Sequence, residues 1–245
     1  GDRYTYARLH PPSGEEEYTI DLILESSGAK NLMYLTFGTI PNLMDSAPTF
    51  FIQNIPVYGD AILSPMDGYS DLPFRAVCRE LGSALSYTEF INAIDILYAH
   101  PHVHKKYEYL PDERPVVFQI FDSEPERLVQ TALRLRQFNP DVIDINMGCS
   151  ARSVAARGAG AGLLKTPLKI ARIFRRLTHL LDIPITGKIR LGWDDTTRNY
   201  CLVARIIEEE GGALVAVHGR TKVQSYQGNA DWDAIAEVRQ AVSIP

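Results

Sequence analysis

The chain has 245 residues, of which 45% are hydrophobic and 22% are charged, a composition typical of a globular protein with a sizeable core. Its formal net charge of -5 argues against a polycation that binds nucleic acid through bulk electrostatics, but allows a local basic strip. Three distant cysteines without a C-x-x-C pair argue against a disulfide framework or a zinc cluster. Without a long apolar run or a signal peptide, we expect a soluble, cytoplasmic protein with no metal and no membrane partner.

Residues 1–48 differ in kind from the rest of the chain. Residues 18–24 and 32–37 are candidate strands, and residues that break regular structure occur at 10–14, 28 and 41–48. We expect residues 1–48 to be an N-terminal extension without catalytic residues and residues 49–245 to be the catalytic domain. The alternative is that these strands cover an open edge of the main sheet.

From residue 60 onward, short apolar runs alternate with stretches of helical periodicity, which is the βαβ signature of a parallel sheet. The six predicted strands are residues 61–64, 84–90, 116–121, 142–146, 185–190 and 214–218. The predicted helices are residues 72–81, 125–138, 167–181, 198–210 and 231–242. Pro125 and Pro167 stand at the first positions of two predicted helices, where proline is favoured. Gly211 and Gly212 end the predicted helix at residues 198–210.

Polar side chains that can react or bind lie at or near the carboxyl ends of the predicted strands. They include Asp67, Glu89, Gln119, Asn146, Cys149, Lys188, Arg190, His218 and Arg220. A doubly wound sheet concentrates such residues at one switch point, whereas an α/β barrel gathers them from many strand ends. We therefore predict a TIM (β/α)8 barrel. Because such a barrel takes about 250 residues and residues 242–245 read as the lead-in to a seventh strand, we expect the barrel to be truncated after its sixth βα unit.

The stretch from residue 142 to residue 164 is the most informative part of the sequence. An apolar strand leads into Asn146 and Cys149, and a loop rich in glycine follows. This order delivers an amide and a thiol to the carboxyl end of one strand. Cys149 is therefore the candidate reactive residue. Cys78 and Cys201 lie within helical patterns and are expected to be small, apolar packing residues.

Six motifs in chain order carry a resemblance to a known family. Residues 64–75 (SPMDGYSDLPFR) are similar to its opening motif, A-P-M-x-G-x-T-D-x-x-F-R, and residues 144–149 (DINMGC) are similar to the signature around its catalytic cysteine. The other matches are Thr88-Glu89, Gln119, residues 188–190 and residues 218–221, the last followed by Gln224, Tyr226, Gly228 and Trp232. Over about residues 50–245 the chain resembles the tRNA-dihydrouridine synthases. Ser150 and Ser153 depart from the proline and lysine that are usual in that family.

The resemblance implies a flavoenzyme that reduces the C5–C6 double bond of a uridine flipped out of tRNA. It implies FMN as the cofactor and NADPH as the electron donor. The implied cofactor contacts are Pro65, Met66, Asp67, Gln119, Lys188 and His218, and the implied substrate contacts are Asn146, Arg190 and Arg220. Cys149 is implied as the acid that protonates C5, because a thiol with an ordinary pKa of about 8.5 is mostly protonated at neutral pH.

Each of these assignments has a structural alternative. Lys188 can form an ion pair with Glu89 or Asp144, Gln119 can be a satisfied interior amide, and Asn146 can cap a turn. His218 can be a structural residue, and the side chains of Arg190 and Arg220 can be exposed to solvent without a ligand. Two other functions also stay open: reduction of a free pyrimidine by a flavin barrel, and an inactive RNA-binding fragment. The last alternative follows from the absence of a seventh and an eighth strand, which hold the flavin phosphate in the family.

Overall fold

The computed structural model describes residues 47–245 and, among residues 1–46, the backbone of three strands. These strands are β1 (Ala7–His10), β2 (Tyr18–Ser26) and β3 (Ala29–Phe37). They form an antiparallel sheet in the order β1-β2-β3. The two strands predicted from the sequence are present and longer than predicted, and β1 is an addition. The predicted breakers at 11–14, 28 and 41–46 lie outside the described residues.

The chain divides into two compact units, Gly1–Ala47 and Pro48–Pro245. The second unit begins with a hairpin of β4 (Phe50–Ile52) and β5 (Ile55–Val57). The strands of its main sheet are β6 (Ser86–Tyr87), β7 (Ile91–Asn92), β8 (Val116–Phe121), β9 (Val142–Met147), β10 (Ile185–Arg190) and β11 (Leu214–His218). Its α-helices are α1 (Leu72–Glu80), α2 (Ala93–Leu97), α3 (Pro125–Leu135), α4 (Arg152–Ala155), α5 (Pro167–Leu180), α6 (Tyr200–Glu209) and α7 (Trp232–Ala241).

The main sheet is parallel, with the order β11-β10-β9-β8-β6, and β7 also pairs with β8. The predicted α/β class is therefore confirmed. A doubly wound sheet reverses its strand order at a switch point, but these strands follow one another in chain order. The sheet consequently has the connectivity of a partial TIM barrel.

The structure corrects the first two predicted strands. Residues 61–64 do not form a strand. Ala84 N donates to Ala61 O (2.8 Å), but Leu63 N donates to the Ser83 hydroxyl (3.0 Å), so a side chain takes the place of a ladder partner. The predicted strand at 84–90 is wrong in extent, because only Ser86–Tyr87 of that span form a strand, β6; Thr88 N still donates to Val117 O (3.0 Å), and β7 begins at Ile91.

The two faces of the sheet carry different side chains because successive residues of a strand point to opposite sides. The outer face packs Phe118, Ile120, Ile143 and Ile145 against the helices. Burying each such side chain contributes roughly 1.5–3 kcal/mol. At the amino-terminal end of the inner face, Val117, Val142 and Leu214 pack against Ile52 and Val57 of the β4–β5 hairpin. The inner face is thus filled with apolar residues at one end and is open to polar residues at the other.

The chain returns to the sheet after α7. Val215 N, on the outer edge of β11, donates to Pro245 O (3.0 Å). Residues near this point, including Leu214, Ala216 and Pro245, line a cavity of about 590 Å³ together with Pro65, Tyr87 and Lys188. The cavity is therefore lined both by the inner face of the sheet and by the loop that precedes α1.

Candidate active site

The loop after β9 holds Cys149 through its backbone. The Asn146 side-chain oxygen, Oδ1, accepts hydrogen bonds from Gly148 N (3.1 Å) and Cys149 N (2.9 Å). Cys149 O in turn accepts from Ala161 N (3.0 Å). Gly160 adopts a φ of +54°, and a Cβ at that position would lie 2.9 Å from Cys149 O. A glycine is therefore required for this close approach, which fixes where the thiol stands.

Three buried polar side chains lie next to one another on neighbouring strands below this loop. Gln119 of β8 is opposite Asp144 of β9, which is opposite Thr186 of β10. Gln119 Nε2 donates to Asp144 Oδ2 (2.7 Å), and the Thr186 hydroxyl donates to Asp144 Oδ1 (2.6 Å). Gln119 Oε1 accepts from Asn146 Nδ2 (2.8 Å). The side chains of Gln119 and Asn146 thus already have protein partners, and Asn146 acts as the turn cap that the sequence left as an alternative.

The Cys149 thiol is half-buried, and its environment favours the protonated form. Burial raises the pKa of Cys149 above its ordinary value of 9.0, and the charge of Asp67 raises it further. A backbone hydrogen bond at Ala151 and the charge of Arg190 lower it, but by less than burial raises it. A thiol in this state holds its proton at neutral pH, as a general acid must, and is a weak nucleophile.

Arg190 connects two loops beneath the surface. Its side chain is 2% exposed. Nε donates to Gly148 O (2.7 Å), and Nη1 donates to Thr221 O (3.1 Å) and Ser225 O (2.8 Å). The guanidinium therefore ties the Cys149 loop to the loop after β11, and it brings a positive charge close to the thiol.

Lys188 lies on the inner face of β10, where it lines the cavity. Among the described residues, Lys188 forms no ion pair with Asp144 or Glu89, the two partners that the sequence suggested. Asp144 affects the pKa of Lys188 only through its charge, and Glu89 accepts a hydrogen bond from Gly68 N. Burial lowers the pKa of Lys188, the charge of Asp144 raises it, and Arg190 lowers it. A partly buried ammonium of this kind suits an anionic or strongly accepting ligand.

His218 and Arg220 lie together at the end of β11. Burial, followed by the charges of Arg190, Lys188 and Arg220, lowers the pKa of His218 to about 4, so the ring is neutral at physiological pH. His218 Nε2 is 3.2 Å from Arg220 Nη1. Because a guanidinium can only donate, Nε2 is the acceptor and the proton of the ring is on Nδ1. Arg220 also donates to Gly228 O, so it orders the loop that follows.

Pro65, Met66 and Asp67 lie in a tight turn before α1. The Ser70 hydroxyl donates to Met66 O (2.9 Å) and accepts from Met66 N (2.9 Å). Lys106 forms an ion pair with Asp67. Ser70 and Lys106 thus both fix the conformation of the turn. Pro65 lines the cavity, and the Met66 side chain is 38% exposed.

Two features were not singled out from the sequence. Arg75, at the end of the opening motif, forms a buried ion pair with Glu113 (Nε to Oε1, 2.8 Å). The motif pointed to Arg75, but its partner is 38 residues away in the chain. The second feature is a cationic cluster in which the ammonium groups of Lys165 and Lys222 lie 3.3 Å and 4.6 Å from the centre of the Trp193 ring. Nothing in the local sequence relates these three residues.

The sequence-predicted residues therefore meet at one place. Cys149, Asn146, Lys188, Arg190, His218 and Arg220 are all at or near the carboxyl ends of β9, β10 and β11, and Gln119 is buried just below. Among the described residues, no group of histidine, cysteine and carboxylate side chains could hold a metal ion, and no helix is long and apolar enough to cross a membrane. Fold and site together define the class, which is an α/β protein with a polar, cationic site on the carboxyl edge of a curled parallel sheet.

Comparison with known proteins identifies the family. Residues 62–245 match the family model described as "Dihydrouridine synthase (Dus)". The "tRNA-dihydrouridine synthase B" of Pseudomonas aeruginosa is 38% identical over 184 residues, which are 75% of this chain and 55% of that protein. The "Probable tRNA-dihydrouridine synthase 1" of Synechocystis sp. is 34% identical over 208 residues, 84% of this chain and 58% of its own length. The chain belongs to the dihydrouridine synthase family, and it spans somewhat more than half the length of these relatives.

Proposed function

We propose that the protein containing this chain is a tRNA-dihydrouridine synthase built on a (β/α)8 barrel, of which Pro48–Pro245 supplies the amino-terminal part. Membership of the family and the names of the relatives support the activity. The chain-order sheet supports the barrel. The hydrogen bond from Val215 N to Pro245 O supports a further strand beside β11, because it shows backbone pairing on that edge. A tRNA substrate is consistent with a cytoplasmic location.

The residues of the inner face fit FMN as the cofactor. The cavity is walled by Pro65, Tyr87 and Ala216, which suit a flat ring, and Lys188 lines it without an ion pair to any other residue that the structure describes. We propose that Lys188 holds the negatively charged edge of the ring, that His218 contacts its polar atoms, and that Met66 and Asp67 lie against it. Gln119 is fully buried and its side-chain amide is hydrogen-bonded to Asp144 and Asn146, so it supports the site from below. When bound and reduced by NADPH, FMN would supply the hydride for C6 of uridine.

The observation that carries the proposal is the state and place of Cys149. Burial raises the pKa of its half-buried thiol, and its backbone is held on the loop after β9 by hydrogen bonds from Cys149 N to Asn146 Oδ1 and from Ala161 N to Cys149 O. Reduction of the C5–C6 bond requires a proton at C5 after the hydride arrives at C6, and we propose that Cys149 donates it. Arg190 lies close enough to its sulfur to stabilise the thiolate that is left behind.

We propose that tRNA binds across the carboxyl edge of the sheet. The proposed contacts of the flipped uridine are Arg220 and the loop that begins at Asn146. Arg190 would support this contact by holding the loops after β9 and β11. The paired ammonium groups of Lys165 and Lys222 are proposed contacts for RNA phosphates, which account for most of the affinity in nucleic-acid binding.

The experiment uses the full-length protein. The purified protein is expected to show flavin absorbance and, with NADPH, to form dihydrouridine in a tRNA that lacks it. Free uracil and orotate at the same concentration should not be reduced. A protein that binds no flavin, or that leaves tRNA unchanged, would contradict the proposal. Turnover of a free pyrimidine without RNA would indicate the alternative flavin enzyme.

A further inference from the structure

A line of side-chain hydrogen bonds connects a buried carboxylate to the Cys149 loop. It runs from Asp144 through Gln119 and Asn146 to the backbone amides of Gly148 and Cys149. Asp144 and Gln119 are fully buried, and Asn146 is 6% exposed. Solvent therefore does not compete for these bonds, and each donor must face an acceptor inside the protein.

The direction of every bond in this line is fixed by its two ends. Backbone N–H groups can only donate, so Asn146 must turn its oxygen towards the loop and its NH₂ group towards Gln119. An ionised carboxylate can only accept, so Gln119 must turn its NH₂ group towards Asp144 and its oxygen towards Asn146. The two ends impose the same orientation on both amides. A protonated carboxyl would no longer impose it, because one oxygen would become a donor.

We propose that Asp144 is a positioning residue, whose ionised carboxylate sets the orientation of Gln119 and Asn146 and thereby holds the loop that carries Cys149. The proposal rests on the proposed function in one respect, since the loop matters for catalysis only if Cys149 is the proton donor. It goes beyond that function because Asp144 acts through other residues and does not contact the substrate.

The environment of Asp144 makes the effect depend on pH. Burial raises its pKa to about 6, against the opposing influence of the Thr186 and Gln119 hydrogen bonds and the Lys188 charge. The carboxylate therefore loses its charge just below neutral pH. Hydrogen bonds to a charged acceptor are roughly twice as strong as those between neutral groups, so the support of the loop weakens as the pH falls through about 6.

Amide hydrogen exchange of the full-length protein, read by mass spectrometry of peptides, tests the proposal without reference to activity. For the wild-type protein, the protection of residues 148–149, corrected for the intrinsic effect of pH on exchange, should fall by about fivefold between pH 7.5 and pH 5. Peptides from the core of β10 should not change in the same way. Constant protection of residues 148–149 across this range would overturn the proposal.

Two variants provide the matched comparison. Asp144→Leu removes the acceptor from Gln119 and should increase exchange at residues 148–149 at pH 7.5 by about fivefold or more. Asp141→Asn is the control, because Asp141 lies just before the same strand and pairs with Arg114 at the opposite end. It should leave the loop protected. If Asp144→Leu does not fold, the pH titration of the wild-type protein decides the question.

Kinetics separate this proposal from the proposed function. Asp144→Asn should lower kcat for tRNA reduction by about tenfold, with KM for tRNA within about twofold of wild type. The acid limb of the kcat profile near pH 6 should disappear in this variant. An unchanged profile would overturn the positioning role. If wild-type protein reduces no tRNA but its loop responds to pH as predicted, the proposed function fails and the role of Asp144 in holding the loop stands.

Discussion

The buried ion pair between Arg75 and Glu113 gives a stability prediction whose size follows from the structure. Both side chains are 1% exposed. Besides Glu113, the guanidinium donates to Ser70 O (3.0 Å) and Glu108 O (2.7 Å). Glu113 Oε2 also accepts from Leu110 N (2.8 Å). The pair therefore fastens the turn of the opening motif to the segment that precedes β8.

Arg75→Met keeps much of the side-chain volume but leaves Glu113 buried without its cation. Removing one partner of a buried pair costs about 3–5 kcal/mol, and each of the two carbonyls that lose a donor adds about 1 kcal/mol. We expect the free energy of unfolding to decrease by about 5–7 kcal/mol. The double variant Arg75→Met/Glu113→Gln should recover about 2 kcal/mol of this, because no uncompensated charge stays buried.

Urea denaturation followed by circular dichroism measures these differences. Arg176→Met is the matched control, since Arg176 forms an ion pair with Glu126 at the surface. Exposed pairs of this kind contribute about 0–1 kcal/mol, so the control should lose no more than that. A loss below about 1 kcal/mol for Arg75→Met, or a double variant less stable than the single one, would refute the reasoning.

Two further predictions concern the Cys149 loop and the carboxylate beneath it. Because burial raises the pKa of Asp144 from 3.8 to about 6, its ionised form destabilises the folded protein above pH 6, and this cost disappears as the pH falls from 6 towards 3.8. Asp144→Asn should therefore be up to about 3 kcal/mol more stable than wild type at pH 8 and lose about half of this advantage at pH 5, as measured by urea denaturation; a difference independent of pH would contradict the assignment. Gly160→Ala should cost about 2 kcal/mol and change the alkylation rate of Cys149, because its Cβ would press on that residue at a positive φ. The control Gly228→Ala is also at positive φ, but its Cβ would make only an ordinary contact with Gln224 Nε2 (3.9 Å), so it should cost about 1 kcal/mol and leave the alkylation rate unaltered.

The sequence predicted the regular part of the fold well for a physical reason. Strands β8, β10 and β11 have the predicted bounds because each is a short apolar run between clear helix and turn signals. Residues 61–64 failed as a strand because pairing depends on a partner elsewhere in the chain. In the structure the hydroxyl of Ser83 stands where a backbone partner would be, and no local pattern encodes that contact.

The site was predicted as a set of residues, but the hydrogen bonds among them were not. The motifs indicated Asn146 and Arg190 as candidate substrate contacts. The structure shows Asn146 capping the Cys149 loop and Arg190 donating to carbonyls of two loops. Side-chain type and strand position can be read from a sequence. The choice between a ligand and a neighbouring backbone group depends on burial and distance, which only the folded chain supplies.

The role of Cys149 as proton donor is tested most directly by separating the two half-reactions in the full-length protein. In Cys149→Ala, reduction of the flavin by NADPH should proceed at the wild-type rate, whereas reduction of tRNA by the reduced enzyme should fall by about 100-fold or more. Cys78→Ala and Cys201→Ala, which alter the other two thiols, should retain both steps. Dihydrouridine formation at the wild-type rate in Cys149→Ala would contradict the assignment.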